Sequence, residues 1–441
     1  MDAMDEVDEM DEVDQVDKIP CPLCPSRPFR PFRPLRPSRP LRPFLLHLAL
    51  MMGSLLLTLL LGEAVVRLFR PQNPVALMYS DNPQFGFWNL SNLKHKRVRS
   101  ERNCPFYHIT TDAGGYRGAQ PVAIPKPAGT RRILVLGDSF TFGVGVEDDQ
   151  TFPAQMEKFL NPGGALGVSP ATARPVEVVN AGCPGWGTEN ALAFWRARAE
   201  QLSPDLLVLA FYRNDLNDNL RHLVYRSGNG KVVYVPKKGF ARMKRLSRMI
   251  PFYDFLSEHS HLLTLARRAI SAYMTRPEPL PPSPAPPAKL PHPETSSGQP
   301  GAASQAAEGS SPAGEALVPS PVPGNPPVYA WVAHEFASFI PLMQSLMEDA
   351  RTRHVALLLV LIPDKSDCGE DPSVQYVESQ RLAEYWARES KLHLLDLRKP
   401  LMEFPGGFDD LYIPKDGHFT VKGNRLAAEE VARAARGLIP E

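Results

Sequence analysis

The sequence predicts an α/β protein built on a doubly wound, five-stranded parallel sheet. Short aliphatic runs of strand length alternate with longer stretches of helical periodicity, which is typical of a parallel sheet covered by helices on both faces. The runs predicted as strands are Ile133–Leu136, Val176–Val179, Leu206–Ala210, Val355–Ile362 and Leu392–Leu397. The predicted helices are Phe152–Leu160, Glu189–Leu202, Tyr329–Arg353, Val374–Glu389 and Val421–Arg436. Five strands with these connections suit the flavodoxin-like strand order.

One insertion interrupts this alternation, between the third and fourth predicted strands. It covers residues 221–328 and contains a helix candidate from Phe252 to Tyr273. In its second part, residues 277–327, 16 of the 51 positions are proline, so we predict a disordered loop there. The insertion joins two strands without dividing either, so the sequence predicts one domain over residues 131–441. An irregular lead-in segment, residues 71–130, precedes that domain.

The N-terminal part of the chain predicts a disordered tail followed by a membrane span. Residues 1–17 are acidic and repetitive, and residues 27–42 alternate arginine with proline, which together predict a disordered tail over residues 1–43. Residues 44–62 are almost entirely apolar, and 19 residues in a helix span about 28 Å, close to the thickness of a bilayer core. Since the arginines precede this span, the positive-inside rule predicts a single-pass protein of the cytoplasmic membrane whose following domain faces outward.

Composition limits the partners and cofactors. The net charge of +1 gives no bulk attraction to nucleic acid, and we predict none as a partner. Cys21 and Cys24 form a C-x-x-C pair without a second ligand pair, which argues against a zinc site, and we expect neither metal nor cofactor. Of the other cysteines (Cys104, Cys183 and Cys368), at most one pair can form a disulfide, and the sequence does not choose the pair.

Four polar segments follow the predicted strands and point to acyl-transfer chemistry. They are Gly137-Asp138-Ser139, the segment from Asn180 to Gly187, Tyr212-Arg213-Asn214-Asp215, and Asp416-Gly417-His418. Open α/β sheets bind their ligands at the carboxyl ends of the strands, so these segments should meet at one edge. Acyl transfer requires a nucleophile, a base, a group that orients the base and donors for the oxyanion, and these segments contain a candidate for each.

These segments together resemble the conserved blocks of the SGNH, or GDSL, hydrolase superfamily. The resemblance covers residues 131–215 and 329–437. It implies that Ser139 is the nucleophile, that His418 is the general base and that Asp416 orients His418.

The same resemblance implies an oxyanion hole formed by two backbone N–H groups and one side-chain amide. The N–H groups are those of Ser139 and Gly185, with Gly182 as the alternative glycine, and the amide is that of Asn214. A G-x-S-x-G elbow, as in α/β-hydrolases, is not matched, because Thr141 stands two residues after Ser139.

Two positions depart from the usual blocks of the superfamily. Tyr212 stands where the block Gly-x-Asn-Asp has glycine, which implies a bulkier wall of the pocket. The acid and base are spaced Asp-x-His rather than Asp-x-x-His, which resembles the branch that contains alginate O-acetylation proteins. This shorter spacing leaves Asp409 and Asp410 as competing candidates for the acid.

The sequence therefore predicts a membrane-anchored serine esterase that hydrolyses O-acyl esters through an acyl-enzyme. The expected partners are an acyl-ester substrate, with an O-acylated glycan as one option, and the lipid bilayer through residues 44–62. Two alternatives stay open. One is an O-acyltransferase acting on a cell-envelope polysaccharide, and the other is a catalytically silent binding module on the same fold.

Overall fold

The central sheet contains five parallel strands in the doubly wound arrangement that the sequence predicts. They are β1 (Arg131–Gly137), β2 (Val176–Gly182), β3 (Leu206–Tyr212), β4 (Ala356–Ile362) and β5 (His393–Asp396). Their order across the sheet is β5-β4-β3-β1-β2, with all neighbours parallel. This is the flavodoxin-like order, so the predicted fold class is confirmed.

This fold comes from a computed structural model that describes residues 41–72, 78–100, 104–161, 174–222, 225–228, 231–234, 252–274, 317–320, 323–329 and 333–440. The predicted disordered tail up to residue 40 and residues 275–316 of the insertion lie outside these ranges, as do Cys21 and Cys24. Contacts divide the chain into two units, Met1–Leu61 and Gly62–Glu441.

Helices cover both faces of the sheet. Among the described residues the α-helices are α1 (Leu41–Phe69), α2 (Ser139–Phe142), α3 (Phe152–Leu160), α4 (Thr188–Leu202), α5 (Asn214–His222), α6 (Tyr253–His259), α7 (His261–Met274), α8 (Ala333–Thr352), α9 (Val374–Ser390), α10 (Arg398–Met402) and α11 (Val421–Arg436). One apolar core lies between the sheet and α4, α8 and α9, and a second lies between the opposite face and α3, α10 and α11. The three inner strands, β1, β3 and β4, are buried on both faces, which explains their continuous aliphatic sequences.

Helix α1 is longer than the predicted span of residues 44–62. It begins at Leu41 and continues to Phe69, and the stretch Leu45–Phe69 is long and apolar enough to cross a membrane. Its side chains from residue 45 to residue 61 are exposed. A helix of this kind near the N-terminus is also typical of a signal sequence.

The lead-in segment is more ordered than the irregular chain that the sequence predicts for residues 71–130. Two antiparallel ribbons form in it, Tyr79–Asn82 with Gly86–Asn89 and Lys96–Val98 with Tyr107–Ile109. The aromatic side chains of Phe85, Trp88 and Tyr116 are buried in the first of the two cores. Strands of three or four residues are too short to show the period-two pattern, so no sequence pattern predicts them.

The insertion also differs from its predicted form in two places. The helix predicted from Phe252 to Tyr273 is broken into α6 and α7 at Ser260, whose extended backbone ends α6 and whose hydroxyl accepts the Leu263 N–H at 3.0 Å. The predicted disordered loop has an ordered end, because Leu317–Val318 pairs with Val328–Tyr329. Elsewhere in the insertion, Tyr225–Gly228 pairs with Lys231–Tyr234.

Candidate active site

Ser139 lies at the carboxyl end of β1, where the chain turns directly into the four-residue helix α2. The turn is fixed by Asp138, which is fully buried and whose carboxylate accepts the Phe140 N–H at 2.9 Å. The Ser139 hydroxyl itself is partly exposed, and it lies 3.4 Å from Asp138 Oδ2. The serine is therefore held at the sheet edge by a buried capping group and remains accessible.

His418 approaches the serine from a loop that precedes α11. Its Nε2 lies 2.8 Å from Ser139 Oγ, and its Nδ1 is hydrogen-bonded to Asp416 Oδ1. The loop folds back because the Asp416 and Gly417 N–H groups both donate to the Ile413 carbonyl and Gly417 has a φ of +87°, a conformation that favours glycine. The Asp-x-His spacing therefore forms a complete serine–histidine–aspartate chain of hydrogen bonds.

The Asp416 carboxylate is almost fully buried and well supplied with donors. Burial by itself raises the pKa of Asp416, but the hydrogen bond and charge of His418 and a hydrogen bond from Ser100 outweigh it and lower the pKa to about 2. The Cys104 thiol lies 3.7 Å from Asp416 Oδ2. Asp416 is therefore ionised at neutral pH and can accept the imidazole N–H.

The two competing acids lie elsewhere on the surface. Asp409 pairs with Lys365 at 2.8 Å, and Asp410 pairs with Lys422 at 2.9 Å. Both carboxylates are more than half exposed. The geometry brings Asp416 to His418 and leaves these two residues in surface ion pairs.

The loop after β2 presents Gly185 in a tight turn. Pro184 and Gly185 are its central residues, Trp186 N donates to Cys183 O at 3.0 Å, and Gly185 has a φ of +83°, as the third position of a type II turn requires. In the part of the chain that the structure describes, the Gly185 N–H donates to no other group. The Gly182 N–H, by contrast, is bonded to Asn180 Oδ1 at 3.0 Å, which favours Gly185 as the glycine donor.

Asn214 is the first residue of α5, beside the nucleophile turn. Its side-chain amide donates to the buried carboxylate of Asp138. One donor hydrogen of an amide NH₂ group remains after this bond. Asn214 is therefore oriented by Asp138 and still has a donor for an oxyanion.

A buried carboxyl pair lies behind these groups. Burial raises the pKa of Asp138, although the Phe140 N–H, His418 and Asn214 oppose it. Burial, together with the charges of Asp138 and Asp218, raises the pKa of Asp215 well above its usual range. Burial thus disfavours the charged form of both carboxyls, and the negative charge of Asp138 adds to this effect at Asp215.

Tyr212 packs where the superfamily's block has glycine. Its ring centroid is 4.6 Å from that of Phe140, whose ring also lies 5.1 Å from the His418 ring. The Tyr212 hydroxyl donates to Asp364 Oδ2 at 2.5 Å. Arg213 adds an ion pair to the same carboxylate at 3.4 Å, so β3 and β4 together form a polar wall beside the site.

The lead-in segment contributes contacts that the sequence analysis missed. Besides Ser100 and Cys104, Asn89 donates to the Gly182 carbonyl at 2.8 Å, and Trp186 Nε1 donates to the Phe87 carbonyl at 2.9 Å. No motif marks these residues, since each acts through a partner far away in the sequence. Cys104, Cys183 and Cys368 are buried, and no disulfide joins any two of these three residues.

The described residues contain no group of three His, Cys, Asp or Glu side chains that could hold a metal ion. A hydroxyl in hydrogen-bond contact with an imidazole, an oriented imidazole and converging N–H donors define a serine acyl hydrolase.

Comparison with known proteins agrees with that class. Residues 135–426 match the GDSL-like Lipase/Acylhydrolase family, and because this match covers more than half of the chain, the protein belongs to that family. The resemblance to the SGNH/GDSL superfamily is thereby confirmed. The chain is an ester-hydrolysing enzyme of this family. No curated protein matches it.

Solved structures with a similar fold include several esterases at low sequence identity. The lipase/acylhydrolase from Enterococcus faecalis is 15% identical, with a TM-score of 0.35, and the match covers 70% of this chain and 97% of that one. The psychrotrophic esterase EstA from Pseudoalteromonas sp. is 12% identical, with a TM-score of 0.33 and coverage of 70% and 97%. The acetyl xylan esterase AlAXEase is 13% identical, with a TM-score of 0.34 and coverage of 69% and 98%.

Proposed function

We propose that this protein is a membrane-anchored serine esterase that hydrolyses O-acyl esters through an acyl-enzyme. The observation that carries the proposal is the 2.8 Å contact between Ser139 Oγ and His418 Nε2, with His418 Nδ1 bonded to the buried Asp416. A serine hydroxyl is a weak nucleophile until a positioned base removes its proton, and this contact provides the base.

The reaction then follows from the positions of the groups. Ser139 Oγ attacks the ester carbonyl while His418 takes its proton, and Asp416 stabilises the resulting imidazolium. The oxyanion accepts hydrogen bonds from the N–H groups of Ser139 and Gly185 and from the amide of Asn214. His418 protonates the departing alcohol, and water, activated by the same imidazole, then releases the acid from Ser139.

Labelling with a fluorophosphonate and peptide mapping tests the nucleophile. The reagent should modify Ser139, and Ser139→Ala should lose both labelling and ester turnover, since the residual rate without a nucleophile comes from binding and the oxyanion hole alone. His418→Ala should also be inactive at neutral pH.

His393→Ala is the matched control, because His393 is an exposed histidine at the amino-terminal end of β5, whereas Ser139 lies at the carboxyl ends of the strands. It should keep native turnover. Near-native activity of Ser139→Ala with an unchanged circular dichroism spectrum would refute the assignment.

Acyl transfer to a polysaccharide hydroxyl is the second candidate, and the Asp416-Gly417-His418 spacing favours it through its resemblance to the alginate O-acetylation branch. A transferase differs from an esterase in the acceptor that deacylates the serine. Product analysis with an acyl-ester donor, with and without an added oligosaccharide, separates the two. Acylated sugar formed in preference to free acid would support the transferase.

The proposed anchor is helix α1, which would hold the enzyme in the cytoplasmic membrane. Support comes from its apolar length and from the six arginines of residues 27–42, five of which precede α1 while Arg42 is its second residue. These charges favour a cytoplasmic N-terminus and a catalytic domain outside the cytoplasm.

A further inference from the structure

Arg117 is a fully buried arginine of the lead-in segment that lies next to the nucleophile turn. Its guanidinium makes an ion pair with Asp148 at 2.9 Å, and the Asp148 carboxylate is itself mostly buried. The remaining bonds go to backbone carbonyls, which are those of His108 (3.1 Å), Phe142 (2.8 Å), Gly143 (2.6 Å) and Val146 (2.7 Å). The charge of the guanidinium is thus paired, and all three of its nitrogens donate hydrogen bonds, as a buried arginine requires.

Three of these carbonyls belong to the chain that continues from Ser139. Phe142 ends α2, and Gly143 and Val146 lie in the loop after it. The Gly143 and Val144 N–H groups both donate to the Ser139 carbonyl at 3.0 Å. Arg117 therefore clamps the backbone whose own N–H groups hold the serine.

Such a clamp is needed because α2 is a single turn of four residues. A helix of this length has no stability of its own, since one turn fixes several dihedral angles for very few hydrogen bonds. The serine must nevertheless keep its 2.8 Å contact with His418. The rigidity has to come from outside the helix.

Two features distinguish Arg117 from a residue that merely fills the core. Its guanidinium also lies 4.8 Å from the Phe142 ring, so a planar group is held between an aromatic face and a ring of carbonyls. The residue lies outside residues 135–426, the part of the chain that matches the family. A lysine could keep the charge but would offer three donors from one point instead of five in a plane.

We propose that Arg117 is a positioning residue for the nucleophile, which holds Ser139 in line with His418. The proposal rests on the proposed role of Ser139. Loss of the clamp should lower kcat while leaving KM nearly unchanged, because a small displacement of a reacting group costs rate more than substrate binding.

The test compares Arg117→Lys with Arg132→Lys in the full chain. Arg132 is also fully buried, and it binds Glu177 and the carbonyls of Leu202 and Ala123, but it lies at the opposite, amino-terminal end of β1. Both variants should lower the melting temperature. At a temperature well below both transitions, Arg117→Lys should lower kcat and the rate of fluorophosphonate labelling by about 10–100-fold. Arg132→Lys should leave both rates near native.

If kcat and the labelling rate were the same in Arg117→Lys and Arg132→Lys, the proposal would be overturned, because Arg117 would then have only a structural role. If Arg117→Lys does not fold, Asp148→Asn tests the same clamp by removing the partner of the guanidinium. It should reduce kcat several-fold at constant KM, whereas Asp149→Asn, at the exposed neighbouring position, should not. A native kcat for Asp148→Asn would also refute the clamp.

The results for Ser139→Ala and Arg117→Lys together distinguish a failure of the positioning role of Arg117 from a failure of the nucleophile assignment. If Ser139→Ala stays active, the nucleophile is wrong whatever Arg117 does. If Ser139→Ala is inactive and Ser139 is labelled, but Arg117→Lys behaves like Arg132→Lys, the esterase assignment stands and the positioning role fails.

Discussion

The Asp416 carboxylate joins segments that are more than 300 residues apart in the sequence. One oxygen accepts from His418 in its own loop, and the other faces the Cys104 thiol of the lead-in segment. Because its pKa is about 2, this group stays ionised throughout the range in which a neutral imidazole can act as a base. It can therefore fix the orientation of His418 without titrating itself.

Replacing Asp416 with asparagine should lower kcat by up to about 10⁴-fold, since the amide cannot stabilise the imidazolium and favours the wrong tautomer. Asp409→Asn is the control and should keep native turnover, because Asp409 lies in an exposed pair with Lys365. Steady-state kinetics on a short-chain ester measure both. If Asp416→Asn leaves kcat unchanged while Asp409→Asn or Asp410→Asn lowers it strongly, the catalytic acid belongs to the preceding loop.

The same carboxyl predicts a pH dependence of stability. Its folded pKa is below its unfolded value of about 3.9, so the stabilisation it provides is complete above that value and is lost as pH falls towards about 2. The difference in melting temperature between the native protein and Asp416→Asn should therefore shrink as pH is lowered from about 4 to about 2. A difference that stays constant over this range would contradict the depressed pKa.

At this scale the sequence predicted which residues meet but not what supports them. Ser139, Asn214 and His418 each follow a recognisable strand or motif, and the topology of a parallel sheet brings such positions to one edge. Ser100, Cys104 and Arg117 belong to a segment without motif or long periodicity. Their importance comes from partners that only the folded chain brings near.

Among the elements, the helices that follow a capping threonine were predicted most accurately. Helices α3 and α11 begin and end where the sequence predicts them, because each starts at a capping threonine, Thr151 or Thr420. Helix α5 was missed, since Asn214 and its polar neighbours suggest a turn when burial is unknown. The ordered end of the insertion was missed because its prolines dominate the composition.

That ordered end predicts two different results for two deletions. Removing residues 277–316 should leave the melting temperature nearly unchanged, since long polar loops cost little to shorten. Removing residues 277–327 should lower it by several degrees, because Trp386 Nε1 loses its 2.9 Å bond to Asn325 and Tyr385 loses the Gly324 carbonyl. Differential scanning fluorimetry measures both. Identical melting temperatures would show that these contacts add nothing to stability.

For the whole molecule, the proposed anchor α1 predicts the direction in which the chain would cross a membrane. The test uses a reporter that works only outside the cytoplasm, fused after Glu441. This reporter should be active, because the arginine-rich segment before α1 favours a cytoplasmic N-terminus and therefore an outward-facing C-terminus. Replacing the six arginines of residues 27–42 with glutamine should reduce that activity. An inactive reporter in a fusion protein that is expressed at full length would overturn the proposed topology.

The contacts of the lead-in segment determine where the gene should be cut to make an active fragment or a fusion protein. A gene fragment cut at the first residue of the family match, Val135, would encode the proposed catalytic residues Ser139, Asp416 and His418, yet it would omit Asn89, Cys104 and Arg117. We therefore expect the smallest active fragment to be larger than the family match and to include the buried lead-in residues from Met78 onwards. Fusion proteins and chimeras that start at the family boundary would contain the proposed catalytic side chains but lack the lead-in residues that contact and position them.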